Sequence, residues 1–496
     1  MPARVRSLFS LLAGRNLSPW LATVALAGYA LFAWNNAGIV PGGADTSGYF
    51  NLARLLSQGA THVAPRSIEG LPLNTVPFHS YTPLGFHPTK DRTALVPTYP
   101  LGLPVFFAAS AKLFGWSIGP LLVMVLHAVA GIGLVYLLAR EAGLSSGLAA
   151  LGALALAVSP LYVQFLVQAM SDVPALVWCA AALWCAFRTS RWSALGCGAA
   201  LGIAVLVRPT NLLIMLPIAL VLGRAWRRWL LVGLGGVPFA ALLFQFNHLA
   251  YGQAFASGYG QVKMLFSFEW VGLTLAHYAQ WLPVVLSPLV LAVLGLPWIW
   301  RRAHQPVLVH ATSVFVFLGF YAFYFHTHET WWYLRFVLPA FPSLIVLMLL
   351  VGRHWLERLP SGNWQRTAWM LGTLVIALNG WAWSRHFNAV GIGRGEMIYA
   401  RLIEPMRHEV PSNAVIVTMQ ASGALFYSTD YVLLRWDMIE QAWPQLRDGA
   451  RAAGRPIYAL LWEYELKGAL ADRVPGKWRK ISELAPGSLW RLDPED

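Results

Sequence analysis

The sequence predicts an all-α polytopic membrane domain followed by a small α/β domain outside the membrane. Of its 496 residues, 57% are hydrophobic and only 12% are charged, whereas an ordinary globular domain has about 25% charged residues. Apolar stretches of about 20 residues, long enough to cross a hydrocarbon core of about 30 Å, recur between residues 20 and 383. Near residue 385 the composition changes to dispersed charges and short hydrophobic patches.

The apolar stretches indicate about eleven transmembrane helices, with boundaries defined to within about two to four residues. The fifth and sixth are short and meet at Arg208-Pro209, where proline removes a backbone hydrogen-bond donor and ends the helix. We predict a membrane domain over residues 1–384, with a long first outer loop over 39–118, and a second domain over 385–496. The predicted spans are residues 20–38, 119–139, 145–165, 173–189, 193–207, 210–223, 229–249, 278–300, 306–325, 333–351 and 367–384.

Arginine placement predicts the orientation of these spans. Arginines concentrate in alternate short connections, so the positive-inside rule puts the N-terminus in the cytoplasm, and an odd number of spans puts the C-terminal domain outside. We therefore expect a multi-pass protein of the inner (plasma) membrane. The net charge of +14 does not indicate nucleic-acid binding, because the arginines belong to these connections. The predicted cytoplasmic set is Arg4, Arg6, Arg15, Arg140, Arg188, Arg191, Arg224, Arg227, Arg228, Arg301, Arg302, Arg353, Arg358 and Arg366.

The C-terminal segment alternates helical and strand patterns, which indicates a small α/β domain. The predicted helices are residues 394–410 and 437–453. The predicted strands are residues 414–419, 431–434 and 457–462, with a terminal hairpin over 478–492.

The first outer loop, of about eighty residues, is much longer than the usual connection and is therefore expected to be functional. It opens with Asp45-Thr46-Ser47, which is typical of a helix start, and Tyr49 and Leu52 fall on one face at helical spacing. This pattern predicts a helix along the membrane surface. The apolar run at 105–113 is too short to span, and we interpret it as a re-entrant or interfacial helix.

Two acids at the predicted outer surface are candidate site residues. Asp45 follows the first span and is the leading candidate, although aspartate is also a favoured helix N-cap. Asp172 begins the fourth span, where an acid next to lipid is costly unless it is used or paired. Its alternative is again a helix start, with Pro174 in the first turn. Two acids at the same membrane level suggest a shared cavity.

Two arginines at outer helix ends, Arg208 and Arg335, are candidate phosphate ligands, since the guanidinium fork matches phosphate oxygens. The alternative is that each reaches toward lipid headgroups or pairs with an acid. Lys90 and Arg92 in the first loop are weaker candidates, because solvated loop charges are common.

Two further motifs bear on cofactors. His326, His328 and Glu329 form a His-x-His-Glu sequence, but this spacing is not a strong zinc signature, and we favour a polar loop beside interfacial aromatic residues. The sequence shows no Gly-rich nucleotide phosphate loop, which disfavours an ATP-driven pump.

The order of several short motifs resembles the GT-C superfamily of membrane glycosyltransferases, in particular the lipid A aminoarabinose transferases and the protein O-mannosyltransferases. The resemblance covers about residues 20–385, and the C-terminal domain is similar only in placement. The matching segments are Gly43-Ala44-Asp45-Thr46-Ser47-Gly48-Tyr49-Phe50, Tyr99-Pro100-Leu101-Gly102-Leu103-Pro104, Ser171-Asp172-Val173-Pro174, Arg208-Pro209-Thr210-Asn211 and Tyr333-Leu334-Arg335-Phe336-Val337-Leu338-Pro339.

This resemblance implies transfer of a sugar from a polyprenyl-phosphate carrier to a lipid, glycan or protein acceptor of the cell envelope, with inversion. It assigns Asp45 as the general base. Some relatives use a divalent metal ion and others do not; the adjacent acidic pair of the superfamily is absent here, since Thr46 follows Asp45, so metal use stays open. The remaining implied site residues are Asp172, Tyr49 and Tyr99 for substrate, and Arg208, Arg335, Lys90 and Arg92 for the donor phosphate.

The main alternative is a transporter or flippase of lipid-linked saccharides. Transporters usually have symmetric halves with broken helices in corresponding positions, and this sequence has no such symmetry. A third class, O-antigen ligases and polymerases, typically has its large outer loop late in the chain, whereas the large loop here is early.

Overall fold

The computed structural model describes residues 19–260, 262–360, 362–439 and 441–494. Arg4, Arg6 and Arg15, which contributed to the predicted orientation, lie outside these residues. The chain forms two compact units. We call them the helical unit (the described parts of 19–37, 121–242 and 262–392) and the α/β unit (the described parts of 38–120, 243–260 and 393–494).

Long apolar helices dominate the chain, which is a multi-pass membrane protein. Among the described residues, four helices are long and apolar enough to cross a bilayer, and two bent pairs raise the number to six. The predicted count of eleven is therefore not confirmed, because several apolar runs form helices shorter than the roughly 20 residues that a span needs. The four long helices are Gly102–Glu141, Trp226–Tyr251, His304–Ala322 and Trp331–Leu356.

Proline explains the two bent pairs. Ser146–Ala157 and Pro160–Leu166 meet at 62°, and Trp270–Val285 and Pro288–Ile299 meet at 120°. In each pair the second helix starts with proline, which lacks the N–H that would continue the first. The shorter apolar helices are Asp172–Phe187, Arg191–Val207 and Pro209–Leu222. Three further helices are Pro19–Asn36, Asn363–His386 and Gly391–Glu409.

The predicted interfacial run 105–113 and the predicted second span 119–139 belong to one helical stretch. Gly102–Glu141 contains both, and its backbone departs from helical geometry at Gly115, with φ 78° and ψ 163°. A positive φ is readily adopted by glycine, which has no Cβ. The two predicted elements are therefore separated by a kink rather than by a loop.

Small residues bring two helices of the helical unit into backbone contact. A Cβ on Gly198 would lie 1.9 Å from the Val232 carbonyl oxygen, and one on Gly235 would lie 2.1 Å from the Leu195 oxygen. Arg191–Val207 and Trp226–Tyr251 thus pack closely through glycine, as is common between membrane helices.

The α/β unit contains a two-stranded and a five-stranded sheet. The strands are β1 Phe86–Pro88, β2 Leu95–Pro97, β3 Val415–Val417, β4 Val432–Leu434, β5 Ile457–Trp462, β6 Trp478–Leu484 and β7 Gly487–Leu492. The first sheet pairs β1 and β2 antiparallel. The second sheet has the order β4-β3-β5-β7-β6, in which β3 pairs parallel with β4 and β5, and β7 pairs antiparallel with β5 and β6.

The parallel strands are buried on both faces, which explains their continuous apolar sequence. Alternate residues enter opposite cores: Ile416 packs with Leu402 and Leu425, while Val415 packs with Trp443. The covering helices are Gly391–Glu409, Ser422–Ser428 and Trp443–Ala452.

The first outer loop is part of this same unit. Its helix Ala44–Ser57, called the Asp45 helix below, supplies Arg54, whose guanidinium donates to the Tyr427 carbonyl at 2.5 Å. Arg66 donates to the carbonyls of Phe426 at 3.0 Å and Thr429 at 2.5 Å. These carbonyls end the helix Ser422–Ser428 and lack intrahelical partners, so the arginines cap it from the loop.

Candidate functional site

Asp45 lies at the second position of the Asp45 helix. The N-cap is Gly43, which makes no side-chain capping hydrogen bond, so Asp45 is not the capping residue. Its Oδ1 accepts a hydrogen bond of 2.6 Å from the Tyr99 hydroxyl. Asp45 is half-buried, so this bond orients a carboxylate that solvent still reaches.

Tyr99 is held as a hydrogen-bond donor to Asp45. Burial, together with the negative charge of Asp45, raises the pKa of Tyr99 well above its usual value. The Tyr99 ring packs against Tyr49 at 5.1 Å and against Tyr259 at 6.1 Å between centroids. Tyr49 is only 2% exposed. The two tyrosines predicted to bind substrate thus lie in contact, and the Tyr49 ring is buried against that of Tyr99.

Gly48 allows this arrangement. A Cβ at position 48 would lie 2.3 Å from the Tyr99 ring, and the backbone of Gly85, at φ +87°, approaches Gly48 from another side. Any larger residue at position 48 would displace the ring, because packed interiors have no space for an extra methyl group. The glycine of the Asp-Thr-Ser-Gly motif therefore positions the Asp45 partner.

Glu396, which the sequence did not single out, contacts the start of the Asp45 helix. Its Oε2 accepts a hydrogen bond of 3.1 Å from the Thr46 hydroxyl, and the Gly43 amide also donates to this carboxylate. Glu396 thus satisfies donors at a helix N-terminus that has no cap from its own chain segment. Because 350 residues separate Glu396 from Thr46, no local pattern could have indicated the contact.

Glu396 predicts a pH-dependent stability. Burial, opposed by the bonds from Thr46 and Gly43 and reinforced by the charge of Asp45, raises the pKa of Glu396 above 4.5. The ionised side chain therefore destabilises the folded state relative to a neutral one, and this effect disappears as pH falls through the raised pKa. Between pH 4.5 and neutrality, we expect the melting temperature of the wild type to decrease relative to that of Glu396→Gln.

The matched control is Glu404→Gln, which removes an exposed acid from the same helix. Its melting temperature should follow that of the wild type across the pH range. Parallel curves for the wild type and Glu396→Gln would contradict the assignment.

Lys90 and Arg92 lie in the exposed turn between β1 and β2. Asp91 between them accepts hydrogen bonds from the hydroxyls of Thr89 at 2.6 Å and Thr93 at 2.8 Å. These bonds lower the pKa of Asp91. The two cations are therefore solvated side chains on an ordered turn.

In the helical unit, Arg208 pairs with Asp172. Arg208 Nη2 donates to Asp172 Oδ1 at 2.7 Å, and Nε donates to the Ser171 hydroxyl at 3.0 Å. The Asp172 side chain is 0% exposed and that of Arg208 12% exposed. The ion pair holds the Arg208 guanidinium next to Asp172, which is the first residue of helix Asp172–Phe187.

Arg335 and Arg208 share an aromatic neighbour, Phe336. The guanidinium carbons of Arg335 and Arg208 lie 5.2 and 5.8 Å from its ring centroid. Tyr321 and Tyr333 stack on the same ring at 5.4 and 5.7 Å. Aromatic faces attract guanidinium groups, so Phe336 lies in one cluster with both arginines, whose role as phosphate ligands stays a prediction.

Breaking the buried ion pair should lower stability. Arg208→Gln leaves the Asp172 carboxylate buried with its charge uncompensated, and we expect a loss of about 3–5 kcal/mol in the free energy of unfolding in detergent. The double variant Asp172→Asn/Arg208→Gln removes both charges and should recover most of this loss. Equal stability of the single and double variants would show that the pair is not buried as described.

The His-x-His-Glu segment contains a local hydrogen bond. His326 Nδ1 lies 2.5 Å from Glu329 Oε2, while His328 stacks on Trp270 with centroids 5.4 Å apart. Within the part of the chain that the structure describes, no three His, Cys, Asp or Glu side chains are grouped so as to hold a metal ion.

Comparison with known proteins identifies a matching family model and solved structures with a similar fold. A family model described as dolichyl-phosphate-mannose-protein mannosyltransferase matches residues 98–251, a segment that includes Tyr99, Asp172 and Arg208. No curated protein matches the sequence. The structure is similar to that of ArnT from Cupriavidus metallidurans bound to undecaprenyl phosphate, with a TM-score of 0.60 and 15% identity over 96% of this chain and 98% of that chain.

The chain has the GT-C fold. The resemblance predicted from the sequence motifs is confirmed at the level of the fold, and the family model supports it over residues 98–251. ArnT in the apo state is also similar, with a TM-score of 0.58 and 14% identity over 95% of this chain and 98% of that chain. A mutant of arabinofuranosyltransferase AftD from Mycobacteria has a TM-score of 0.50 and 13% identity over 96% of this chain and 42% of that chain.

Proposed function

We propose that this GT-C protein transfers a sugar from a polyprenyl-phosphate carrier to a hydroxyl group of a cell-envelope lipid, glycan or protein. The class of donor is inferred from the arginine cluster around Phe336 in the helical unit. Arg208 of this cluster is followed directly in the sequence by Pro209, which lines an apolar groove. A polyprenyl-phosphate sugar has the same two parts, an anionic head and a long apolar tail.

The groove suits the tail of such a donor. It has a volume of about 480 Å³ and is lined almost entirely by apolar side chains that begin at Pro209, directly after Arg208. Leu212, Leu216 and Phe320 are among these side chains. Ligand pockets of about 300–1,000 Å³ are typical of small-molecule sites. An isoprenoid chain gains hydrophobic contact there without needing hydrogen bonds.

Arg335 and Arg208 are assigned to the donor phosphate. As the glycosidic bond breaks, negative charge accumulates on the phosphate oxygens, and preorganised guanidinium groups stabilise that charge. We assign Asp172 to positioning, because its carboxylate is committed to Arg208. This differs from the sugar-binding role predicted from the sequence. Lys90 and Arg92 stay secondary candidates for the same anion.

Asp45 is assigned as the general base. It takes the proton of the acceptor hydroxyl while the acceptor oxygen bonds to the anomeric carbon and the bond to the carrier phosphate breaks. Attack opposite the leaving phosphate inverts the anomeric centre. Tyr99 orients the carboxylate, and Glu396 and Thr46 hold the first turn of its helix. No metal ion is needed for this assignment, and metal use stays open.

The reaction is proposed to take place outside the cytoplasm. The basic connections predict a cytoplasmic N-terminus and an extracytoplasmic C-terminal domain in the inner membrane. Labelling of single cysteines introduced into the loop 39–118 tests this orientation. Accessibility only from the cytoplasmic side would contradict it.

Reconstitution separates the enzyme from the alternative, a flippase of lipid-linked saccharides. Purified protein in vesicles is given a polyprenyl-phosphate sugar and a hydroxyl acceptor, and the acceptor mass is measured. A transferase increases that mass by one sugar residue and releases the carrier phosphate. Movement of the lipid across the bilayer without a change in acceptor mass would establish the flippase instead.

A further inference from the structure

The α/β unit contains a small basic cavity, called the arginine pocket here. It lies where helix Trp443–Ala452 ends, β5 begins and β7 ends, and its volume is about 260 Å³. Its charged lining residues are Arg447, Arg451, Arg455, Arg491 and Asp493. Four guanidinium groups thus line one cavity together with a single carboxylate.

Two of these arginines carry buried donors without an acceptor. Among the described residues, Arg455 Nη1 and Arg491 Nε are shielded from solvent and have no hydrogen-bond partner. Buried polar groups are nearly always paired, because leaving a charged donor unsatisfied loses its hydration without replacement. Two residues that line the pocket therefore carry charged donors that no acceptor of the described chain satisfies.

The arginines around the pocket also have few acidic partners. Arg447 contacts Asp448 at 3.1 Å, but that carboxylate is 61% exposed and does not line the pocket. Arg491 stands directly opposite Arg479 in the β6–β7 register. Like charges opposed across strands destabilise a sheet unless a counter-ion is present.

Helix electrostatics explain only part of the cluster. Arg451 lies in the last turn of helix Trp443–Ala452, where cations are favoured by the helix dipole, whereas Arg447 lies in the middle of this helix. Arg455 follows the helix and Arg491 comes from β7, with its guanidinium 5.8 Å from the Tyr458 ring centroid. The helix dipole therefore does not explain why Arg455 and Arg491 line this cavity.

We propose that the arginine pocket binds a phosphate group, either free or carried by a small molecule or lipid headgroup. Guanidinium groups bind phosphate oxygens through paired, charge-assisted hydrogen bonds. The volume of about 260 Å³ is slightly below the range of about 300–1,000 Å³ for small-molecule pockets, so the anion is small. This site shares no residue with the donor cluster and does not depend on the proposed function.

The test uses the full protein in detergent and inorganic phosphate as the probe. Phosphate is titrated at constant ionic strength while the melting temperature is recorded, in an Arg335→Gln background that removes the donor cluster as a competing site. We expect a saturable increase that the double change Arg455→Gln/Arg491→Gln weakens at least about tenfold in apparent affinity. Arg401→Gln, which removes an exposed arginine of the same unit, should leave the titration unchanged.

A second measurement guards against misfolding of the double variant. Phosphorus NMR line broadening of phosphate is compared for the single variants Arg455→Gln and Arg491→Lys, each of which should bind more weakly. Short-chain phosphatidic acid in place of phosphate identifies the source: tighter binding than phosphate assigns a lipid headgroup, and equal or weaker binding assigns a soluble anion. A non-saturable effect, or equal binding by the wild type and every pocket variant, would overturn the proposal.

Discussion

Asp45→Asn is expected to reduce sugar transfer by about 10²–10⁴-fold, the usual contribution of a general base. Asparagine keeps the shape of the side chain and can still accept the hydrogen bond from Tyr99, but it cannot take the acceptor proton. The loss should therefore appear in kcat, while the KM for the donor changes little. The measurement is steady-state turnover of the purified variant at saturating donor.

Two companion variants separate catalysis from folding. Asp91→Asn removes an exposed acid of the same outer loop and should leave turnover unchanged. Tyr99→Phe removes only the hydrogen bond that orients Asp45 and should lower kcat less than Asp45→Asn does. Turnover by Asp45→Asn at the wild-type rate would remove Asp45 from the mechanism.

Arg335→Glu is expected to weaken donor binding by at least about 10–100-fold, because it replaces a charge-assisted contact with a repulsive one. The Arg335 guanidinium lies over Phe336 and, at 5.7 Å, over Tyr333. Reversal of its charge therefore acts within the arginine cluster. The measurement is the dissociation constant for polyprenyl phosphate and its dependence on salt.

The matched control is Arg385→Glu, which reverses an exposed arginine that also lies over an aromatic ring, Trp381. This variant tests whether any charge reversal near the membrane lowers donor binding. Similar dissociation constants for the wild type and Arg335→Glu would exclude Arg335 from the phosphate site.

Several elements followed from the sequence because their signals are local. The helix start at Asp45-Thr46-Ser47 corresponds to Ala44–Ser57, and the continuous apolar run 457–462 is β5. The break at Arg208-Pro209 separates helix Arg191–Val207 from Pro209–Leu222, since proline cannot continue a hydrogen-bonded helix.

The features that the sequence did not reveal depend on contacts between distant residues. Glu396 reaches Thr46 across 350 positions, and an acid within an amphipathic helix gives no sign of such a partner. The helix Ser422–Ser428 was absent from the prediction, because seven residues are too few for a helical period to stand out. Hydropathy alone also did not separate straight spans from the pair that bends by 120°.

That Arg208 pairs with an acid was among the alternatives left open by the sequence, which did not identify Asp172 as that acid. An acid and an arginine at helix ends are each costly next to lipid, and pairing satisfies both. Which partner each would choose depends on how three helices pack, and hydrophobic periodicity does not encode that choice. The 2.7 Å contact decides it.

Mass spectrometry of envelope lipids and glycans, from cells with and without this protein, tests the central claim most directly. We expect one envelope species to gain the mass of a single sugar residue only when the wild-type protein is present, and cells that carry Asp45→Asn to lack it. Identical masses in all three preparations, or full modification with the Asn variant, would contradict the account.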